Sequence, residues 1–134
     1  MASGELGRQN IHRAVAGFAS ALAIDRRLFP DEVRDVVESG CIQKFEYCAE
    51  LFWKHLRSRL IEEGIDVANS PRGVIKAALS RGWVVEEEYA SALAIFDDRN
   101  RCSHVYRESM IPEILARLPG HLAIMQRVTA RCDR

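Results

Sequence analysis

The stretch DEVRDVVESGCIQKFEYCAELFWKHLRSRLIEE, residues 31–63, contains no proline. Apolar side chains recur along it at every third or fourth position: Val33, Val37, Cys41, Phe45, Cys48, Phe52 and Leu56. This spacing predicts one continuous helix of about 49 Å at about 1.5 Å per residue. Gly64 is predicted to end it at the C′ position, where glycine is favoured.

A second apolar strip follows the same helix, and it consists of Val36, Gly40, Tyr47 and Leu51. A helix with two apolar strips packs on two sides, so we expect residues 31–63 to be the spine of a bundle or of a homodimer. Glu46, Glu50 and Lys54 lie one turn apart in succession. We interpret them as solvated or ion-paired side chains rather than as acid/base groups.

Shorter helices are predicted on either side of this long one. Residues 5–28 show helical spacing and form a first helix, and Asp31 is expected to cap the long helix after the break at Pro30. Ser70 and Pro71 are typical of a helix start, and Gly82 is typical of its end.

A fourth helix follows the acidic residues 86–88, whose charge favours a helix N-terminus. Ser109 is expected to cap a last helix, which Pro119 and Gly120 interrupt with a kink or a short break. Strand-like alternation is absent. We therefore predict an all-α, mostly antiparallel up-and-down bundle of four to five helices with one long central helix, forming a single domain over residues 1–134.

The composition restricts the kinds of partner and site that the protein can have. Nineteen basic residues balance nineteen acidic residues, so RNA binding would need a local basic patch. The four cysteines form no CxxC pair, which predicts buried thiols rather than a metal site. No segment has the pattern of a signal peptide or a membrane span, which predicts a cytoplasmic protein without a membrane partner. His12 and His55 are interpreted as ordinary side chains, and we expect no metal and no other cofactor.

The most unusual stretch is DDRNRCSHVY, residues 97–106, because side chains that are costly to desolvate end an apolar helical pattern there. At about 100° per residue, Asn100 and His104 share one helix face, and Arg99 shares the adjoining face with Tyr106. The flexible Arg99 side chain can swing toward the imidazole of His104. An anionic group can then lie between them.

This spacing, Arg-Asn-x3-His-x-Tyr, resembles the ribonuclease motif of HEPN domains. Residues 34–54, Ser70-Pro71-Arg72 and Asp98-Arg99-Asn100 resemble the nucleotidyltransferase substrate-binding branch of that family, and the resemblance covers about residues 33–128. It implies the toxin of a HEPN/minimal nucleotidyltransferase toxin–antitoxin pair, a homodimeric HEPN-like protein.

As the resemblance implies, such a toxin is a metal-independent endoribonuclease. His104 would transfer a proton, Arg99 would stabilise charge on the scissile phosphate, and Asn100 would orient the imidazole or hold a phosphate oxygen. Arg101 and Arg107 would contact RNA phosphates. These five residues form the predicted ribonuclease site.

The branch also implies a partner. A minimal nucleotidyltransferase encoded nearby, the antitoxin, would transfer AMP to Tyr106 and so inactivate the toxin. Positive charge around Tyr106 would favour its phenolate as the attacking group.

The sequence also allows other roles for Arg99, His104 and Tyr106, and another function. Arg99 can instead pair with Asp97, Asp98 or Glu108 while His104 interacts with a helix C-terminus, and Tyr106 can simply cover the edge of the bundle. A second function hypothesis is a non-enzymatic, substrate-binding subunit of a two-component nucleotidyltransferase. The chain has no Gly-Ser and paired-Asp motif of the transferase itself, so it cannot carry out the transfer alone.

Overall fold

The computed structural model describes the backbone of residues 2–104 and 108–134, and the side chains of residues 7–102 and 109–134. These parts contain no strand and five α-helices: α1 (Ala2–Leu22), α2 (Asp31–Glu62), α3 (Pro71–Arg81), α4 (Tyr89–His104) and α5 (Ile111–Cys132). The predicted all-α fold class is confirmed. Within the described ranges, no helix combines the length and the apolar character that crossing a membrane requires.

Helix α2 is the centre of the bundle and contacts each of the other four α-helices. Its pairing with α4 is antiparallel. Glu50 contacts Arg99, whereas Phe52, further along α2, stacks on Phe96, which is earlier in α4, with ring centroids 6.5 Å apart.

Helix α5 runs parallel to α2, because residue numbers rise together along the two helices. Phe45 stacks on His121 with ring centroids 5.3 Å apart, and Cys48 Sγ lies 3.4 Å from Met125 Sδ. Helix α3 also runs parallel to α2, because Arg81 at the end of α3 pairs with Glu63 at the end of α2. Helix α2 therefore has parallel neighbours in α3 and α5 and an antiparallel neighbour in α4.

The two predicted faces of α2 have different environments. Most of the inward face is buried as predicted: Cys41, Phe45, Cys48, Phe52 and Leu56. Two residues differ from the prediction, since Val33 of the inward strip is 42% exposed and Leu51 of the second strip packs against the core. On the opposite face Val36 is 70% exposed and Tyr47 62% exposed, and a Cβ at Gly40 would meet no atom within 4 Å. We call Val33, Val36, Gly40 and Tyr47 the outer strip of α2, and no part of the described chain covers it.

Local signals at three helix ends are confirmed. Ser70 Oγ accepts a hydrogen bond from the Gly73 backbone N–H at 3.2 Å and so caps α3. Gly82, with φ of 88°, and Gly64, with φ of 80°, adopt the left-handed conformation that ends α3 and α2.

The predicted end of the first helix is wrong. Helix α1 ends at Leu22, and a separate 3-10 turn covers Arg26–Leu28. Asp25 causes the break, since its carboxylate accepts the Arg27 backbone N–H at 3.1 Å and stabilises a turn in place of the helix. Asp31 is not a cap either, because Pro30 holds the N-cap position of α2 without a side-chain hydrogen bond.

The predictions for the last helix need two corrections. Met110 is the N-cap residue of α5, and no side chain caps this helix, so the predicted role of Ser109 is wrong. Helix α5 also continues through Pro119 without the predicted short break. Proline removes one backbone hydrogen bond, and burial of residues on both sides of it, such as Leu118 and Met125, offsets that loss.

Candidate functional site

The last turns of α4, which carry the predicted site, are fixed by three consecutive charged residues. Each contacts a different helix: Asp97 contacts Arg72 of α3, Asp98 contacts Arg117 of α5, and Arg99 contacts Glu50 of α2. Consecutive residues of an α-helix point about 100° apart. A run of three therefore reaches three neighbours, and this arrangement fixes the rotation of α4 about its axis.

Asp98 is the buried centre of this arrangement, with a side chain that is 1% exposed. Its carboxylate accepts two hydrogen bonds from Arg117, both at 2.7 Å, one from Arg101 at 2.8 Å, and lies 2.7 Å from His121 Nε2. Burial alone would raise the pKa of Asp98. The hydrogen bonds from Arg117, His121 and Arg101 outweigh burial and lower that pKa to about 2.

Arg99 is held on the other side of α4 by Glu50. Its guanidinium donates to Glu50 Oε2 at 2.7 Å, and Trp53 Nε1 donates to the same oxygen at 3.2 Å. Lys54 Nζ lies 3.1 Å from Glu50 Oε1. Partial burial would raise the pKa of Glu50, but the hydrogen bonds from Trp53 and Lys54 and the charge of Arg99 lower it below its usual range.

These contacts test two interpretations of the sequence. Glu50 is ion-paired with Lys54, as predicted. Arg99 was considered as a partner of Asp97, Asp98 or Glu108, and among the described side chains it pairs instead with Glu50, which lies 49 residues away.

The other predicted site residues are placed as follows. Asn100 is exposed, and Arg101 is half-exposed and bound to Asp98. His104 is the last residue of α4, so its backbone is on the same helix face as Asn100; its side chain lies outside the described residues. Tyr106 and Arg107 lie outside them as well.

Two cation-rich clusters result at this end of α4. In the first, Arg99 and Lys54 share the carboxylate of Glu50. In the second, Arg101 and Arg117 share the carboxylate of Asp98. Arginine and lysine groups of this kind can also bind an anionic group such as a phosphate. In the second cluster the charge of Glu113 acts on Arg117 as well.

Sequence reasoning missed the partners that hold this site. Arg117 and His121 are distant in sequence from α4, and spacing along α4 cannot reveal them. One signal was present: His121 interrupts the inward-facing row of α5 formed by Ile114, Leu118, Met125 and Val128. A histidine in such a row requires a buried hydrogen-bond partner.

Comparison with known proteins identifies the family. Residues 7–134 match the family described as "Nucleotidyltransferase substrate binding protein like". The chain belongs to this family. The family prediction made from the sequence is therefore confirmed at this level, and the family's description does not itself include a toxin or a ribonuclease.

A solved structure agrees with this membership. The chain is similar to the crystal structure of ttk003001694 from Thermus thermophilus, with a TM-score of 0.79 and 35% identity over 92% of this chain and 99% of that one. No protein with a curated function matches this chain closely enough to count as a relative.

The buried carboxylate of Asp98 makes stability depend on pH. Because its pKa in the folded state is about 2, below the ordinary 3.8, its stabilising contribution is complete above about pH 5 and is lost as the pH falls toward 2. We expect Asp98→Asn to lower the free energy of unfolding at neutral pH by about 2–4 kcal/mol. The difference from the wild type should shrink below about pH 4.

Urea denaturation of both proteins at several pH values measures this difference. Asp97→Asn is the matched control, since Asp97 is 44% exposed and its ion pair contributes at most about 1 kcal/mol. A difference for Asp98→Asn that stays constant down to about pH 3 would contradict the assignment.

Proposed function

We propose that this protein is the substrate subunit of a two-component nucleotidyl-transfer system, in which a separate nucleotidyltransferase binds it and transfers AMP to Tyr106. The observation that carries the proposal is the pair of cations at the end of α4, Arg99 and Lys54, which share the carboxylate of Glu50. The description of the family names the same kind of partner.

The proposed transfer follows ordinary phosphoryl chemistry. The phenol oxygen of Tyr106 attacks the α-phosphorus of ATP, the bond to the β-phosphate oxygen breaks, and pyrophosphate leaves. The phenol proton passes to a base of the transferase. Arginines near the acceptor, including Arg99 and Arg101, favour the ionised phenol and the charge that develops on phosphate.

AMP on Tyr106 would change the electrostatics of the site. The new phosphodiester anion would compete with Glu50 for Arg99, and it would also occupy positive charge that an RNA phosphate needs. Transfer therefore acts as a switch on any RNA chemistry at this end of α4.

The second candidate function is metal-independent RNA cleavage. Its support is that Asn100 and His104 share a face at the end of α4 and that Arg99 lies on the adjoining face. Arg99 would have to exchange Glu50 for the scissile phosphate. In-line attack by a ribose hydroxyl is easier with two proton carriers, and the motif of residues 99–106 contains one histidine, His104.

A homodimer would supply the second histidine, and the outer strip of α2 suits such an interface. Val33, Val36, Gly40 and Tyr47 are separated by three, four and seven residues, as in the seam between two packed helices. The open space at Gly40 allows two backbones to approach closely. Glu50 lies one turn beyond Tyr47, so two copies that pair in parallel along this strip would bring their Arg99 sites near each other.

We predict AMP transfer to Tyr106. The purified chain, incubated with ATP, Mg²⁺ and the nucleotidyltransferase encoded beside it, should gain the mass of one or more AMP groups in intact-mass spectrometry. Tyr106→Phe should remove the gain, and the control Tyr89→Phe should keep it. An unchanged mass with a transferase that forms pyrophosphate on another substrate, or a full gain in Tyr106→Phe, would refute this assignment.

We predict that RNA cleavage, if it is the activity of this site, requires His104 and Arg99. His104→Ala and Arg99→Ala should each slow cleavage of a labelled RNA by about 10²-fold or more in the presence of EDTA, while the exposed control Arg13→Ala should not. Circular dichroism would check that the variants fold. Intact RNA after incubation with the wild-type protein would reject the ribonuclease and leave the substrate-subunit proposal standing.

We predict a homodimer through the outer strip of α2. Light scattering at micromolar concentration should give twice the 15.2 kDa of the chain, and Val36→Glu or Tyr47→Glu should give monomers because a buried unpaired carboxylate is costly. Gln126→Glu, on an exposed face of α5, is the control. A monomeric wild type, or dimers that both variants preserve, would exclude this interface.

A further inference from the structure

Three side chains with metal-binding atoms meet near the C-terminal end of α2. They are His55 of α2, Cys132 at the end of α5 and Asp133, and their ligand atoms all lie within 4.8 Å of one another. His55 Nε2 is 2.9 Å from Asp133 Oδ1, and Cys132 Sγ is 3.4 Å from the same oxygen. His55 and Cys132 are both buried.

A fourth group comes from α1. His12 Nε2 lies 3.5 Å from Asp133 Oδ2, the second oxygen of the carboxylate. This oxygen is buried and accepts no hydrogen bond from the described residues. A buried carboxylate oxygen without a partner is costly, and a cation beside it would remove that cost.

We propose that His55, Cys132 and Asp133 bind one zinc ion, and that His12, which contacts Asp133 alone among them, rotates in as the fourth ligand. Imidazole nitrogen, thiolate sulfur and carboxylate oxygen are the ligands that zinc takes in proteins, at about 2.0–2.3 Å. Ligand atoms of such a tetrahedron lie roughly 3.3–3.7 Å apart, so small side-chain rotations would bring His55, Cys132 and Asp133 together. His12, which lies outside this group of three, would have to move further. Four protein ligands leave no open position, which is typical of a structural rather than a catalytic zinc ion.

Neighbouring charges set the expected affinity. Arg59 Nε lies 3.7 Å and Arg8 Nε 3.9 Å from Asp133 Oδ1, and both oppose a second cation. Arg59 also pairs with Glu62, and Arg8 is 45% exposed, so solvent screens its charge. Zinc must in addition displace the proton of the Cys132 thiol. We therefore expect weaker binding than in sites made of four cysteines.

One of the proposed ligands borders a cavity. The cavity lies between α1 and α2, has a volume of about 180 Å³, and is lined by His55 and Arg59 together with Asn10, Ser58 and Glu62. His12, Cys132 and Asp133 do not line it. Bound zinc would connect α1, α2 and the end of α5. It would thus link the first helix of the described chain to the last.

The test uses the full chain, stripped with EDTA and desalted, and needs no partner protein. Titration with CoCl₂ should produce a thiolate-to-cobalt charge-transfer band in the near ultraviolet, and ZnCl₂ should abolish it at one equivalent per chain. Zinc at about 100 times its dissociation constant should raise the unfolding temperature by roughly 5 °C or more.

Variants assign the ligands. Cys132→Ser should remove the cobalt band, and His55→Gln and His12→Gln should each weaken zinc binding by about tenfold or more. Cys41→Ser and Cys48→Ser are matched controls, since both replace buried cysteines away from the site and should leave binding unchanged. Circular dichroism would confirm folding. Absence of a cobalt band in the wild-type chain, or unchanged zinc affinity in folded Cys132→Ser or His55→Gln, would overturn the proposal.

Discussion

The rotation of one helix about its own axis is the constraint on which the site depends. Asp97, Asp98 and Arg99 point in three directions from α4, and each is held by a different helix. Asp98 matters most because its carboxylate is buried, and a buried charge is tolerated only with partners such as Arg117 and His121. With the rotation fixed, the direction in which Asn100 and the backbone of His104 point is fixed as well.

Much of the fold was predictable because its signals are local. The long apolar period of α2, the Ser70-Pro71 start of α3 and the left-handed Gly64 and Gly82 each act within a few residues. The errors arose where local signals compete. At Asp25 a side-chain hydrogen bond stabilises a turn that the apolar spacing did not reveal. At Pro119 packing against the rest of the bundle maintains a helix that the sequence predicted to have a kink or a short break.

The site was predictable only in part. Spacing along α4 indicated Arg99, Asn100 and His104, because these residues are neighbours on one helix. It could not indicate that Glu50 holds Arg99, or that Asp98 is buried against α5, since those pairings join residues 49 and 23 positions apart. The contact of His55 with Asp133 joins residues 78 positions apart. Spacing within one helix contains no information about such contacts.

The parallel packing of α5 on α2 has a consequence for the growing polypeptide. The apolar face of α2 is completed only by α5, and His55 meets its partner Asp133 after 78 further residues have been added. At about 5–20 residues per second, synthesis of that stretch takes roughly 4–16 s. During this interval Phe45 and Phe52 lack part of their final cover. On the ribosome, the nascent chain therefore exposes apolar side chains of the helical hairpin formed by α1 and α2. Exposed apolar surface of this kind is what chaperones bind.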